Sequence, residues 1–203
     1  MIEYLFPQMN AAPSQQLASA QPEESGSPLI SRVTDYWASL PRHGGAPQRS
    51  SVQAADLSDA LPHIFLAQIV TTRIARFRIV GHQIEDLMGM EMRGMPLTAL
   101  FSGTARDEIQ SAISHVRRGA RVMLSLEAET GFGMPKLDAV LALMPLSDSS
   151  GTITHLMGVL ERSGTSGPRP RRFALAQPCE VSAAAQQPQP GKPVLRVIQG
   201  GLG

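Results

Sequence analysis

The residues able to do chemistry are few and do not converge. His82 follows the strand-ending Gly81 and reads as the polar start of a helix. His115 stands beside Val116-Arg117-Arg118 near a helix end and reads as solvent-facing. His155 alternates with Thr154 and Leu156 on a strand, which leaves both of its faces open. The carboxylates come as adjacent pairs, Glu85-Asp86 and Asp107-Glu108, and helical side chains one residue apart diverge instead of meeting on a substrate. Gly131-Phe132-Gly133 has neither the third spaced glycine nor the Lys-Ser/Thr pair of a phosphate cradle, and reads as a hairpin turn. Ser125 and Ser147 lack the Gly-x-Ser-x-Gly elbow that exposes a nucleophile. Cys179, the sole cysteine, lies in a Pro-rich tail with no activating base nearby. No catalytic residue and no metal ligand is assigned, and the chain reads as a non-enzyme.

Binding side chains are better represented. Met88, Met90, Met92 and Met95 cluster, and their adaptable thioethers suit either a loose helical core or a surface for varied apolar partners. Tyr36 and Trp37 lie on an amphipathic helix that can cover its own domain and meet a second copy.

Composition narrows the classes further. The 203 residues are 42% hydrophobic, enough for one solid core. A net charge of +1 does not supply the basic field of a dedicated nucleic-acid binder, and with 4% aromatic residues an extended stacking platform would use most of the rings. One cysteine forms no internal disulfide, which fits a reducing, cytoplasmic setting. The N-terminus has no signal-peptide pattern, and no apolar run is long enough to cross a membrane. Residues 1–29, rich in Pro, Ser, Ala and Gln, read as a flexible N-terminal arm. Residues 162–203 read as a Pro/Ala/Gln-rich basic tail, mostly disordered. Within it, Arg172 to Ala176 and Val194 to Ile198 are apolar enough to dock or to pair as short strands.

Between these segments the pattern is periodic. Leu29, Val33, Tyr36, Trp37 and Leu40 predict a helix that stops before Pro41, and Leu57 with Leu61 predict a short helical turn. Ile64–Val70 and Ala75–Val80 predict a hairpin, with Phe77 and Ile79 on one face and Arg76 and Arg78 on the other. Short helices follow at Ile84–Met88 and Leu97–Phe101. A longer helix carries Ile109, Ala112, Ile113 and Val116, with Thr104 as its N-cap and Gly119 closing it. Strands around Val122–Ala128, Leu137–Leu146 and Ile153–Leu160 complete the set. The expected fold is α+β: a five-stranded antiparallel sheet with short helices on one face and an N-terminal amphipathic helix.

That order, with Phe77-Arg-Ile-Val-Gly-His82, Ile84-Glu-Asp-Leu87 and Met92-Arg-Gly-Met-Pro-Leu97, resembles the PAS domain. Asp35-Tyr36-Trp37, Pro47-Gln48-Arg49 and Leu61-Pro62-His63-Ile64-Phe65 are similar, more narrowly, to a bacterial PAS-like family in which a Tyr-Trp helix precedes a Pro-x-Arg loop. The resemblance covers residues 30–161. It implies a sensory or regulatory protein in bacterial signalling that binds small ligands or protein partners, often as a homodimer through the helix flanking the sheet. Flavin photochemistry in this fold needs a cysteine beside the ring system, and residues 30–161 contain none. Haem would need a histidine ligand, which the readings of His82, His115 and His155 disfavour. The cofactor stays unknown.

A ligand would occupy the interior between sheet and helices, with Phe77, Ile79, Leu87, Phe101, Ile113, Leu124 and Leu143 as candidate walls. Tyr36 and Trp37 are the candidate dimer or partner contacts. The competing reading is a constitutive scaffold without ligand, whose basic tail grips an acidic partner or nucleic acid.

Overall fold

Strand β1 (Ile64–Ile69) and strand β2 (Ala75–Val80) form the expected antiparallel hairpin. Helix α2 (His82–Met88) follows and closes on Gly89, whose φ of 67° lets its amide reach the Glu85 carbonyl at 2.7 Å. A 3₁₀ turn at Leu97–Leu100 leads to helix α3 (Arg106–Arg117). Strands β3 (Ala120–Ala128), β4 (Leu137–Ser147) and β5 (Ile153–Gly164) then run antiparallel to one another. Helix α1 (Pro28–Ser39) precedes them all, with Pro28 in its first turn, where a missing amide hydrogen costs nothing. The computed structural model describes residues 27–42, 45–131, 133–167 and 170–183, so residues 1–26 of the N-terminal arm and the Val194–Ile198 stretch lie outside the described residues, while the end of the arm, from Pro28, is the first turn of α1.

The architecture is α+β. The sheet order is β2-β1-β5-β4-β3, with the helices of the long β2–β3 connection on one face and α1 on the other. The sheet is wider than the expected five strands. Strand β6 (Phe173–Leu175) pairs with Leu126–Ala128, and strand β7 (Glu180–Ala183) pairs with Ala120–Met123, both along the free edge of β3. Of the tail read as mostly disordered, this stretch is ordered on the sheet. It includes the Arg172–Ala176 segment singled out for its apolar character.

Each face of the sheet holds its own core. On the inner face, Phe65, Ala67, Phe77, Leu124, Leu141, Leu143 and Leu156 meet Leu87 of α2, Leu97 and Leu100 of the 3₁₀ turn, and Ile109 and Ile113 of α3. Gly158 lies opposite Phe65 in the register, and a Cβ at that position would collide with the Phe65 ring. That ring stands edge-on to Phe77 with centroids 5.0 Å apart, a favoured aromatic geometry. On the outer face, Ile30, Val33 and Trp37 of α1 pack on Ala142, Met144, Leu146, Met157 and Val159.

Two local expectations need correction. Helix α3 does not start on a Thr104 cap. A 3₁₀ turn at Gly103–Ala105 precedes it, and the Thr104 hydroxyl pairs instead with Ser102 Oγ at 2.9 Å. Ile79 does not share a face with Phe77. Leu66 pairs with Ile79 while the next residue, Ala67, pairs with Phe77, so Arg78 is an extra residue in β2. Such a bulge shifts the alternation by one, and Ile79 turns to the outer face beside Leu66, 63% exposed.

Candidate functional site

Six of the seven candidate wall residues converge. Phe77, Leu87, Phe101, Ile113, Leu124 and Leu143 belong to one inner core, and each is essentially fully buried. Leu87 and Ile113 come from α2 and α3, Phe101 follows the 3₁₀ turn, and Phe77, Leu124 and Leu143 come from strands, so these side chains pack into one apolar core roofed by α2, the 3₁₀ turn and α3. Ile79 is not part of it, for the bulge carries its side chain to the opposite face. The methionine cluster divides: Met88 and Met92 are buried in this core, and Met90 is exposed at the surface. The Glu85 carboxylate accepts the Met92 amide at 3.2 Å, which fixes the chain as it leaves α2.

The outer face carries α1 on two polar attachments. At the first turn of the helix the Ile30 amide, one of the unpaired amides of a helix start, donates to the Glu161 carboxylate of β5 at 3.3 Å. Near the other end the Trp37 indole donates to the Pro145 carbonyl of β4 at 2.9 Å. Trp37 is 2% exposed, with the Arg42 guanidinium 4.4 Å above its ring centroid, so its side chain is committed to the core of its own chain. Tyr36 is half-buried, and its hydroxyl accepts the Gln53 amide at 2.8 Å. The loop at Pro47-Gln48-Arg49 is tied to the end of β4, where the Ser147 amide donates to the Pro47 carbonyl at 2.8 Å and the buried Ser147 hydroxyl to Ala46 at 3.1 Å. Ser147 is thus a loop fastener.

The histidines stay apart. His82 is exposed, and His115 Nδ1 pairs with Arg118 at 3.0 Å on α3. His155 pairs with Gln68 across the β1–β5 register, two residues along from the Leu66–Met157 pair, and so faces outward. Partial burial and the guanidinium groups of Arg49 and Arg78 hold its pKa below the ordinary 6.5, against a smaller opposing pull from Asp148. Among the described residues no group of three His, Cys, Asp or Glu side chains is arranged to hold a metal ion. No helix there is long and apolar enough to cross a membrane.

Two residues of this region were missed in the sequence. Phe173 of β6 is fully buried within the inner core, and Arg171 beside it is 1% exposed. The Arg171 guanidinium donates to the Ser166 carbonyl at 2.7 Å and the Pro135 carbonyl at 2.9 Å. Phe173 was legible only as one apolar residue of a short run, and nothing local announces that an arginine in a Pro-rich segment is buried.

The PAS domain family matches residues 26–161, and the chain belongs to it. No curated protein sequence matches the chain. Among solved structures, the light-state structure of the blue-light photoreceptor Aureochrome1 LOV is similar at 18% identity and a TM-score of 0.40, covering 55% of this chain and 88% of that one. An RNA-binding light-oxygen-voltage receptor is similar at 20% identity and a TM-score of 0.41, covering 60% of this chain and 35% of that one. The family assignment rests on the match over residues 26–161.

Two predictions follow from the outer face. Replacing Trp37 with Ala removes a buried ring and is expected to lower folding stability by about 3–5 kcal/mol. Trp37→Phe keeps most of the packing and strands the Pro145 carbonyl, for a loss of about 1–3 kcal/mol. Urea denaturation followed by circular dichroism measures both, and equal losses would show that the indole hydrogen bond carries the site. For His155, a folded-state pKa below the unfolded one means that the unfolded chain binds the proton first. Its contribution to stability is complete above about pH 6.5 and declines as the pH falls below it. His155→Gln is expected to flatten that acid-side loss, measured as the difference in urea midpoint between variant and wild type from pH 7.5 to 5.

Proposed function

We propose that the protein is a non-catalytic sensory or regulatory PAS protein of bacterial signalling, acting in the cytoplasm as a homodimer that takes a small apolar ligand and signals to a protein partner. The observation that carries this reading is the convergence of Phe77, Leu87, Phe101, Ile113, Leu124 and Leu143 on one side of strands whose other side holds α1. An interior without charged groups selects ligands by shape and apolar area. A change in that interior moves β4 and β5, and α1 is attached to both through Pro145 and Glu161. A ligand biases such a device only to the extent that it prefers one arrangement over the other.

For dimerisation the outer face supplies an apolar edge. Ile79 is 63% exposed beside half-buried Leu66, flanked by Arg78, while α1 covers the neighbouring strands β4 and β5. With Trp37 committed to its own core, contact with a second copy falls to this edge and to the exposed side of α1.

Native mass spectrometry of the full chain, beside a denatured sample and an absorption spectrum, is the test. The expected result is a dimer with a bound mass that denaturation releases. Ile79→Glu is expected to weaken the dimer at least about tenfold while folding stability stays within about 0.5 kcal/mol, as for an exposed substitution. A dimer that never holds a ligand favours the constitutive scaffold, with residues 162–203 gripping an acidic partner or nucleic acid. A chain that stays monomeric at every concentration overturns the homodimer.

A further inference from the structure

Residues 170–183 lie beyond the family match at residues 26–161, yet they complete its interior. They do so across the seam between the two layers. On the helical side, the Arg171 amide donates to the Leu87 carbonyl at the end of α2 at 3.2 Å, and the Ser102 amide donates to the Phe173 carbonyl at 2.9 Å. On the sheet side, the Glu129 amide donates to Arg172 at 2.8 Å and the Ala176 amide to Ser125 at 2.9 Å. The Phe173 ring enters the same core as Phe101, Leu87 and Leu124, and Cys179 packs partly buried against it.

The attachment is built to be weak. Strand β6 has three residues, and all four residues of β7 are exposed. Gly164 and Gly167, at φ of 112° and 62°, make the bends that bring the chain back from β5. Docking also removes the Arg171 guanidinium from water with only carbonyl oxygens as partners. Its Nε has no partner and no carboxylate lies within ion-pair distance among the described residues. A buried cation without a counter-charge opposes the state that buries it, and release of the segment restores its hydration.

We infer that residues 170–183 are a releasable strap whose Phe173 fills part of the interior, so that a ligand with a phenyl-sized apolar group gains the interior only as the strap departs. This rests on the reading of the domain as a ligand-binding module. Because the ligand binds the open form, it populates that form by mass action, and the freed strap, with its exposed Arg171 and Cys179, becomes the signal. The lone thiol also reports the motion. Alkylation requires the thiolate, and burial together with Glu180 pushes the Cys179 pKa up in the docked form.

The test uses the full chain, with indole as the probe, iodoacetamide as the thiol reagent and amide hydrogen exchange as an independent readout. Wild-type amides that hydrogen-bond between strap and domain, those of Ser102 and Glu129 to the strap and of Ala176 to Ser125, are expected to exchange well before the β4 and β5 amides around Leu141 and Leu160. Phe173→Ala is expected to speed Cys179 alkylation by roughly tenfold or more. Saturating indole is expected to speed it in the wild type as well. Where Phe173→Ala does not fold, Leu175→Ala replaces it, and the wild-type measurements stand without either variant. If the strap amides exchange only together with β4 and β5, or if indole binds without changing the alkylation rate, the strap proposal is wrong and the ligand reading survives. If the strap opens but indole binds neither wild type nor variant, the interior is not a ligand site, and the plug falls with it.

Discussion

Strands β4 and β5 have little face left to water between Leu141 and Leu146 and between Leu156 and Leu160, and this double burial demands a cover on each side. The helices between β2 and β3 supply one and α1 the other. Each leucine-sized side chain removed from water contributes about 1.5–3 kcal/mol, so neither cover can be lost without exposing a row of such groups. The polar details serve the same constraint. Glu161 receives the open amide of the α1 first turn, and Trp37 satisfies the Pro145 carbonyl, so covering the outer face leaves fewer buried polar groups unpaired.

The same constraint explains which parts were legible in the sequence. The near-continuous apolar run Leu137–Leu146 indicates a strand covered on both sides, and the helical spacing of Ile109, Ala112, Ile113 and Val116 indicates the inner roof. Of the candidate wall residues, Leu143 and Ile113 follow from those two patterns, and Phe77, Leu87, Phe101 and Leu124 from the alternation or helical spacing of their own segments. Ile79 does not, because alternation assumes unbroken pairing and the extra residue at Arg78 becomes visible only when β2 is laid against β1. Trp37 could be placed on the apolar side of its helix, but the spacing does not say whether that side meets its own sheet or another copy. The orientation of His155 is of the same kind, fixed by its register with Gln68 across β1.

The tail presents the reverse case. Its composition belongs to chains that bury too little to order themselves, and β6 and β7 order only because the edge of β3 offers unpaired backbone groups and the interior has room for Phe173. Local sequence carries no information about that edge. A segment that depends on a borrowed template and buries a guanidinium with no carboxylate partner among the described residues belongs to the low-stability end of the molecule, where moving parts are drawn from. The domain thus has two elements that depend on the sheet: α1, held to its outer face, and the strap, held to its edge.

The account requires that the state of the interior be felt at α1 through the strands they share. Hydrogen exchange of the full chain, wild type against Leu143→Val, tests this most directly, because Leu143 lies on the inner face of β4 and the substitution removes a single methylene from that face alone. The account predicts faster exchange at the α1 amides from Val33 to Trp37 as well as around the altered site. Changes confined to β3, β4 and α3, with α1 exchanging as in the wild type, would contradict it.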